Sequence, residues 1–184
     1  MNKAECGIEE QFEKNDCNLV TVARLVEQKG IQRLIKVHKK LLEDGIKHKI
    51  FVVGDGPLRQ LLEEEIKELQ VESSFFLLGK RENPYPYIKK ADAFVLFYYY
   101  EGYGMVLEEA KILEKPICIT DTAAREALKD YEKASIVENS EDGIYQGIKE
   151  FVERKEKYLR QNSENVVKYD NEKILYEIRN LMGD

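Results

Sequence analysis

The sequence predicts an α/β fold built on a parallel sheet of about six strands with helices on both faces. Short β-branched or aromatic runs alternate with stretches whose apolar residues recur at helical spacing. Strands alternating with helices in this way imply a parallel sheet covered on both sides. The Gly-rich turns follow the strand-like runs, at the carboxyl ends where such Rossmann-like sheets bind ligands.

The first strand is NLVTVAR, from Asn18, and the helix IQRLIKVHKKLL follows it. On that helix Ile31, Leu34, Ile35, His38, Leu41 and Leu42 share one face, while Lys36, Lys39, Lys40 and Glu43 lie largely elsewhere. His38 is therefore read as a core-edge residue before a ligand. The second unit is KIFVVG followed by DGPLRQLLEEEIKELQ, where Gly54, Asp55 and Gly56 force a tight bend and Pro57 suits a first helical turn. SFFLLG is a third strand, leading through a polar turn to a short helix around PYPYIKKA. A fourth, DAFVLFYY, runs into EGYGMVLEEAKILE. PICI is the fifth; its loop TDTAAR precedes a short helix at EALKD, and ASIV is the sixth. Helical patterns at EDGIYQGIKEFVERKEKYLRQ and NEKILYEIRNLM complete the chain.

The expected organisation is a linker or cut edge at residues 1–17, polar and without period, then one domain over 18–164 and a C-terminal helix at 165–184 packing on it. A chain of 184 residues supports one well-packed core and is too short for two large ones. With 43% hydrophobic and 35% charged residues it has the composition of an ordinary globular protein. The formal charge of -6 argues against a nucleic-acid partner, since phosphate-backbone contacts need a basic face, so any anion site must be local. Cys6, Cys17 and Cys118 form no C-x-x-C spacing, and His38 and His48 offer no zinc-type pairing, so no metal site is expected and a reduced, cytosolic compartment fits. The N-terminus lacks an apolar signal core, and no apolar stretch approaches the ~20 residues that span a bilayer.

Two turns carry chemistry. In ARLVEQKG, Arg24 ends the first strand and Lys29 and Gly30 precede the following helix. A planar guanidinium and a mobile ammonium together suit the two phosphates of a diphosphate. The plain alternative is a surface Arg and Lys beside a helix start. EGYGMVLEEA places Glu101 in a turn, Gly102 and Gly104 next, and Glu109 eight residues after Glu101. A helix starting near Met105 points amide groups and its positive dipole end at an anion. Carboxylates repel phosphate but accept hydrogen bonds from sugar hydroxyls, so a sugar on one side and a ribose on the other is the functional reading. The plain alternative makes Glu101 a turn residue and Glu109 a solvated helix residue, as its neighbour Glu108, about 100° away, is expected to be.

The segments ARLVEQKGIQRLI, FVVGDGPLRQLLE, FFLLGK, ADAFVLFYYYEGYGMVLEEA and KPICITD, in this order, resemble the retaining glycosyltransferases of family 4, or glycosyl transferases group 1, from about Asn18 to Ile136. The resemblance implies the C-terminal, donor-binding half of a two-domain GT-B enzyme, which transfers a sugar from a nucleoside-diphosphate sugar to an acceptor in polysaccharide or glycolipid biosynthesis. It implies that Arg24 and Lys29 bind the diphosphate and offset charge building on the leaving group, and that Glu101 contacts the transferred sugar, these three being the catalytic set. It implies further that the backbone of Gly102, Tyr103, Gly104, Met105 and Val106 faces the phosphates, that Glu109 holds the ribose, and that Gly79 and Lys80 lie beside the base. The nucleotide sugar is then a substrate, with no cofactor and no metal. The N-terminal acceptor domain is the expected partner, and the half that this chain lacks. The expected location is cytoplasmic, peripheral to the inner face of the membrane in the full-length enzyme through that other half.

Four positions depart from the family pattern. Ala23 stands where Gly is frequent, Phe97-Tyr98 replace a frequent Pro-Ser pair, and Ala124 replaces a loop Gly. The Tyr98-Tyr99-Tyr100 run reads as strand-end packing before a stacking platform. Two other functions fit part of the pattern. A GT-B sugar-nucleotide epimerase half would need further acid/base residues that the sequence does not offer; a non-catalytic nucleotide-binding module would have no need of both cations and both glutamates.

Overall fold

The structure, a computed structural model, describes residue 12 and residues 17–100 and 104–155. The helix expected at 165–184 and all of the expected linker except Phe12 and Cys17 lie outside the described residues. Six strands, β1 (Cys17–Val22), β2 (His48–Val53), β3 (Phe75–Gly79), β4 (Ala93–Leu96), β5 (Ile117–Thr120) and β6 (Ala134–Val137), form one sheet in the order β3-β2-β1-β4-β5-β6. Every neighbouring pair of these strands runs parallel. Among the described residues, five α-helices connect or follow them: α1 (Ile31–Glu43), α2 (Arg59–Glu68), α3 (Tyr85–Lys90), α4 (Met105–Ile112) and α5 (Glu141–Glu153).

The chain builds outward from β1 to β3, returns to the other side of β1, and builds outward again. Right-handed crossovers then place α1 and α2 on one face and α3 and α4 on the other. α5 returns to pack against α1. The four inner strands β2, β1, β4 and β5 are buried almost throughout, which is why their sequences are continuous apolar runs rather than alternating ones.

Several elements differ in detail from their sequence patterns. The chain enters β1 at Cys17, one residue before Asn18, because the buried Cys17 pairs with His48. Pro57 lies in the turn before α2, which begins at Arg59. The short helix expected at EALKD is a 3-10 turn from Ala123 to Leu128. α1 buries Arg33 and Val37 besides its predicted stripe, because α5 covers a second flank of the helix.

The turn after β2 is shaped by contact with the turn after β1. A Cβ on Gly54 would stand 1.9 Å from the Ala23 carbonyl oxygen, and one on Gly56 would stand 2.5 Å from that of Leu25. Only glycine admits this approach. Two backbone bonds complete it, from Ala23 N to Val53 O and from Leu25 N to Asp55 O, each 3.0 Å. The Gly-Asp-Gly bend is thus a prop for the loop that carries Arg24, as its reading as turn geometry anticipated.

At the opposite, amino-terminal edge of the sheet, His38 of α1 and His48 of β2 form a buried pair with Ser74. His48 Nδ1 lies 2.9 Å from the Ile46 carbonyl, which can only accept, so Nδ1 carries a proton. His38 Nδ1 lies 2.9 Å from His48 Nε2, and His38 Nε2 lies 2.8 Å from Ser74 Oγ, whose hydroxyl donates to Val71 O at 3.3 Å. His38 is a fully buried core residue, deeper than the core-edge position its helical phase suggested.

Burial, with His48 second, pushes His38 from its ordinary 6.5 down to about 2. A base with a depressed folded pKa contributes stability that is present above 6.5 and lost as the pH falls below it, because only the unfolded chain takes up the proton. Stability should therefore fall by ~2 kcal/mol between pH 7 and pH 5, at ~1.4 kcal/mol per unit once below the unfolded value. Urea unfolding across this range measures it. His38→Gln, which keeps a donor and an acceptor but does not titrate, should flatten the curve; an unchanged slope in the variant would show that His38 is not the group responsible.

Candidate functional site

Two turns that the sequence separates by about seventy residues meet where the sheet reverses its order. β1 ends at Val22, and the chain runs through Ala23 and Arg24 to Lys29 and to Gly30, whose left-handed φ of 62° opens α1. β4 ends at Leu96; Phe97 to Tyr100 follow, then residues 101–103, and then Gly104, whose φ of 67° caps α4. Glu101, Gly102 and Tyr103, all expected site residues, lie outside the described residues.

The flanks of that segment are closely tied down. Tyr99 N donates to Gln28 O at 3.0 Å, and Gln28 Nε2 donates to Tyr100 O at 3.1 Å. The Tyr98 hydroxyl donates to Val22 O at 3.0 Å, and Lys29 Nζ rests 3.9 Å from the centre of the Tyr98 ring. From the other side Thr120 Oγ1 donates to Tyr98 O at 2.8 Å and Asn139 Nδ2 to Tyr99 O at 2.7 Å. The tyrosine run is divided in its roles: Tyr98 is strand-end packing, whereas Tyr99 and Tyr100 are 46% and 66% exposed at the ligand edge.

Beside this junction a cavity of about 420 Å³ opens over the carboxyl ends of β1, β2 and β3. Val22, Ala23, Val53 and Gly54 contribute apolar or backbone surface, and Arg24, Lys80, Arg81, Asp55 and Pro84 the remainder. Two of the expected residues, Arg24 and Lys80, therefore share one chamber, and Gly79 adjoins Lys80 at the end of β3. Its size and its mixture of apolar wall and cationic rim suit a nucleoside. Lys29 lies toward β4, on Tyr98, so the two cations attend different parts of the crevice.

α4 begins at Met105, as expected, and its cap residue Gly104 has no side chain to accept from the first-turn amides. Those of Met105 and Val106 are the available donors at this positive helix end. Glu108 pairs with Lys111 at 3.0 Å on the same helix, which absorbs its charge locally. Glu109 is different. It is partly buried, and burial holds its carboxyl above the usual range. It also raises the Tyr85 phenol, second to that group's own burial, and so lies near the start of α3. Such a carboxylate is a ready acceptor for hydroxyl groups.

Sequence reasoning missed Tyr85, Arg81 and Arg33 in this region. Arg33 is 3% exposed, with Nε and Nη2 at 3.1 and 2.6 Å from the Phe97 carbonyl. Nothing in a helical wheel marks it, because it falls outside the sheet-facing stripe; the relevant neighbour is a loop sixty-four residues away. Among the described residues no group of three or more His, Cys, Asp and Glu is placed to hold a metal ion.

The family model for glycosyl transferases group 1 matches residues 7–167. An N-acetylgalactosaminyltransferase of Campylobacter jejuni acting on a diphospho-undecaprenol-linked sugar is 33% identical over 147 residues, 78% of this chain and 40% of that protein. An uncharacterized glycosyltransferase of Methanocaldococcus jannaschii is 34% identical over 117 residues, 62% of this chain and 29% of that protein. The chain thus spans well under half the length of these relatives. Among solved structures, Anabaena HepE in complex with UDP superposes with a TM-score of 0.72 at 18% identity, covering 84% of this chain and 44% of that one. WaaG, a glycosyltransferase involved in lipopolysaccharide biosynthesis, superposes with a TM-score of 0.71 at 17% identity, covering 100% and 52%. These last two establish the shared fold.

A carboxyl raised by burial favours the folded state below its unfolded pKa, and that contribution is lost as the pH rises through the folded value. At neutral pH the ionised Glu109 therefore costs stability. Glu109→Gln should raise the melting temperature of the ligand-free chain at pH 7.5, with the advantage shrinking toward pH 4.5. Calorimetric melts of both proteins at the two pH values decide it; a variant that melts lower at pH 7.5 would make Glu109 a structural partner instead.

Proposed function

Because the chain belongs to the glycosyl transferases group 1 family, we propose that it is the donor-binding part of a retaining GT-B glycosyltransferase of the family 4 type. Its substrate is a nucleoside-diphosphate sugar, and its product an extended polysaccharide or glycolipid. The observation that carries this reading is the junction of the two turns: the Lys29 turn and the loop entering Glu101 are hydrogen-bonded neighbours, with the Arg24 and Lys80 cavity alongside. The UDP present in the HepE structure makes UDP a natural first probe.

In this reading the nucleoside enters the cavity beside Gly79 and Lys80, and Glu109 holds the ribose. The diphosphate lies between Arg24, Lys29 and the amino-terminal amides of α4, and Glu101 accepts from hydroxyls of the sugar. The bond between the sugar and the diphosphate breaks with its electrons passing to the phosphate oxygen. Two cations and a helix end stabilise that charge without a metal ion, preorganised where it develops. The nucleophile is an acceptor hydroxyl presented by an acceptor domain. The reading places the reaction in the cytoplasm, with any attachment to the membrane made through that other domain; among the described residues no helix is long and apolar enough to cross a bilayer.

Binding should be measurable on this chain alone. UDP, GDP and ADP and their sugars, screened by melting temperature, should yield one nucleotide that stabilises the fold by about 2.7 kcal/mol at ~100 times its dissociation constant. No shift with any of them at millimolar concentration would sink the proposal. By titration calorimetry, Arg24→Ala and Lys29→Ala should each weaken the bare diphosphate roughly ten- to a hundredfold, the cost of a charge-assisted hydrogen bond. Glu101→Ala should spare the diphosphate and weaken the sugar-bearing donor; equal losses for both would remove Glu101 from the sugar. Transfer itself should be negligible for the isolated chain, since positioning of the acceptor supplies much of the rate.

A further inference from the structure

We propose that Arg33 is a positioning residue for the donor site, fixing the Lys29 turn and the loop that enters Glu101 at one spacing. The inference rests on the donor-site reading given above, and deepens it.

The guanidinium spends two donors on a single acceptor, the Phe97 carbonyl, which is the first residue beyond β4. Its central carbon Cζ lies over the Tyr99 ring, 4.0 Å from the ring centre, two residues further along the same loop. Arg33 itself stands in the first turn of α1, three residues after Gly30, so it links the start of that helix to the loop after β4. A Cβ on Gly30 would come within 2.6 Å of the same Phe97 oxygen and 2.9 Å of Arg33 Nε, so the turn is closed tightly onto this carbonyl. A forked, stacked cation fixes both translation and tilt of a loop, which an ammonium on a flexible stem does not.

Burial lowers the Arg33 pKa from its ordinary value, while Tyr99 and Glu141 act in the opposite direction. A cation buried in this way needs a compensating role. An apolar side chain of similar size would fill the same space but would leave the buried Phe97 carbonyl without this donor. What an apolar residue cannot do is hold a carbonyl at a set distance. The Gln28 bonds to Tyr99 and Tyr100 run in parallel with the Arg33 clamp and end one residue short of Glu101.

Titration of the whole 184-residue chain with UDP, GDP and ADP, well below its melting temperature, tests this with a double-mutant cycle. Arg33→Met should weaken the bound diphosphate at least tenfold, and Lys29→Ala added to it should cost less than threefold more, because Lys29 is already displaced. Arg33→Lys, which keeps the charge and one donor, should recover part of the loss. Should Arg33→Met not fold, Tyr99→Ala, at a half-exposed position, carries the same cycle and should show the same non-additivity. Affinity within twofold of wild type, or losses that multiply independently, would reduce Arg33 to a structural residue and overturn the inference. If instead the wild-type chain binds none of the three diphosphates, the donor-site reading itself has failed.

Discussion

The pairing of β1 with β4 is the constraint on which the rest of the molecule depends. β1 matches β2 over six consecutive residues, but it meets β4 only at Leu19 with Ala93 and Val20 with Phe94. The helices that follow β1 and β4 belong to opposite faces of the sheet. A crevice is the geometric consequence of reversing the strand order at this point. The chain closes its lower part with specific polar contacts: the Tyr98 hydroxyl on Val22, Gln28 on Tyr99 and Tyr100, and Arg33 on Phe97. Each of these crosses between the two halves of the sheet. The site is thus held open by topology and held in register by side chains that reach across it.

Electrostatics sharpen this geometry against the background of the chain. A protein of net charge -6 repels phosphate at long range, so any diphosphate affinity has to come from cations and amides concentrated at one edge. Arg24, Lys80 and Arg81 line the cavity, Lys29 lies across β1 from it, and the α4 amino-terminus completes the arrangement. Glu109, near the start of α3, carries a cost in desolvation. A carboxylate kept where burial disfavours its charge is better explained by a ligand that supplies hydroxyl donors than by folding. In the proposed donor site, stability and binding would pull in opposite directions at that residue.

The departures from the family pattern become intelligible at the same junction. Tyr98, where a small residue is frequent, fills the space beneath Lys29 with a ring that both packs and attracts the ammonium, and its hydroxyl finds Val22 O. Ala23 lines the cavity, but it is 6% exposed, and its carbonyl faces Gly54, so its methyl group narrows the chamber only slightly. Ala124 is fully buried in the 3-10 turn after β5. The first of these alters how Lys29 is held; the other two are accommodated by packing.

The sequence by itself determined the six strands, the helices α1 to α5, the parallel sheet and the two turns in which the donor site is proposed. It could do so because each rests on local information: apolar spacing within ten or fifteen residues, glycines where the backbone must bend, and cations or carboxylates at the ends of strands. Helix α4 begins at Met105 as its Gly-rich approach implied, and the Gly-Asp-Gly bend is a prop for the Arg24 loop. The tertiary structure alone decided what stands next to what. It joined Arg24 and Lys80 in one chamber and set Lys29 on Tyr98. It buried His38 with His48 and Ser74, and it drew Arg33 out of solvent onto a carbonyl from a different βα unit. Those relations are invisible to periodicity because the partners are separated by ten to seventy residues and meet only when strands, helices and turns pack together. A helical wheel assigns faces, but it cannot say which faces will be covered twice.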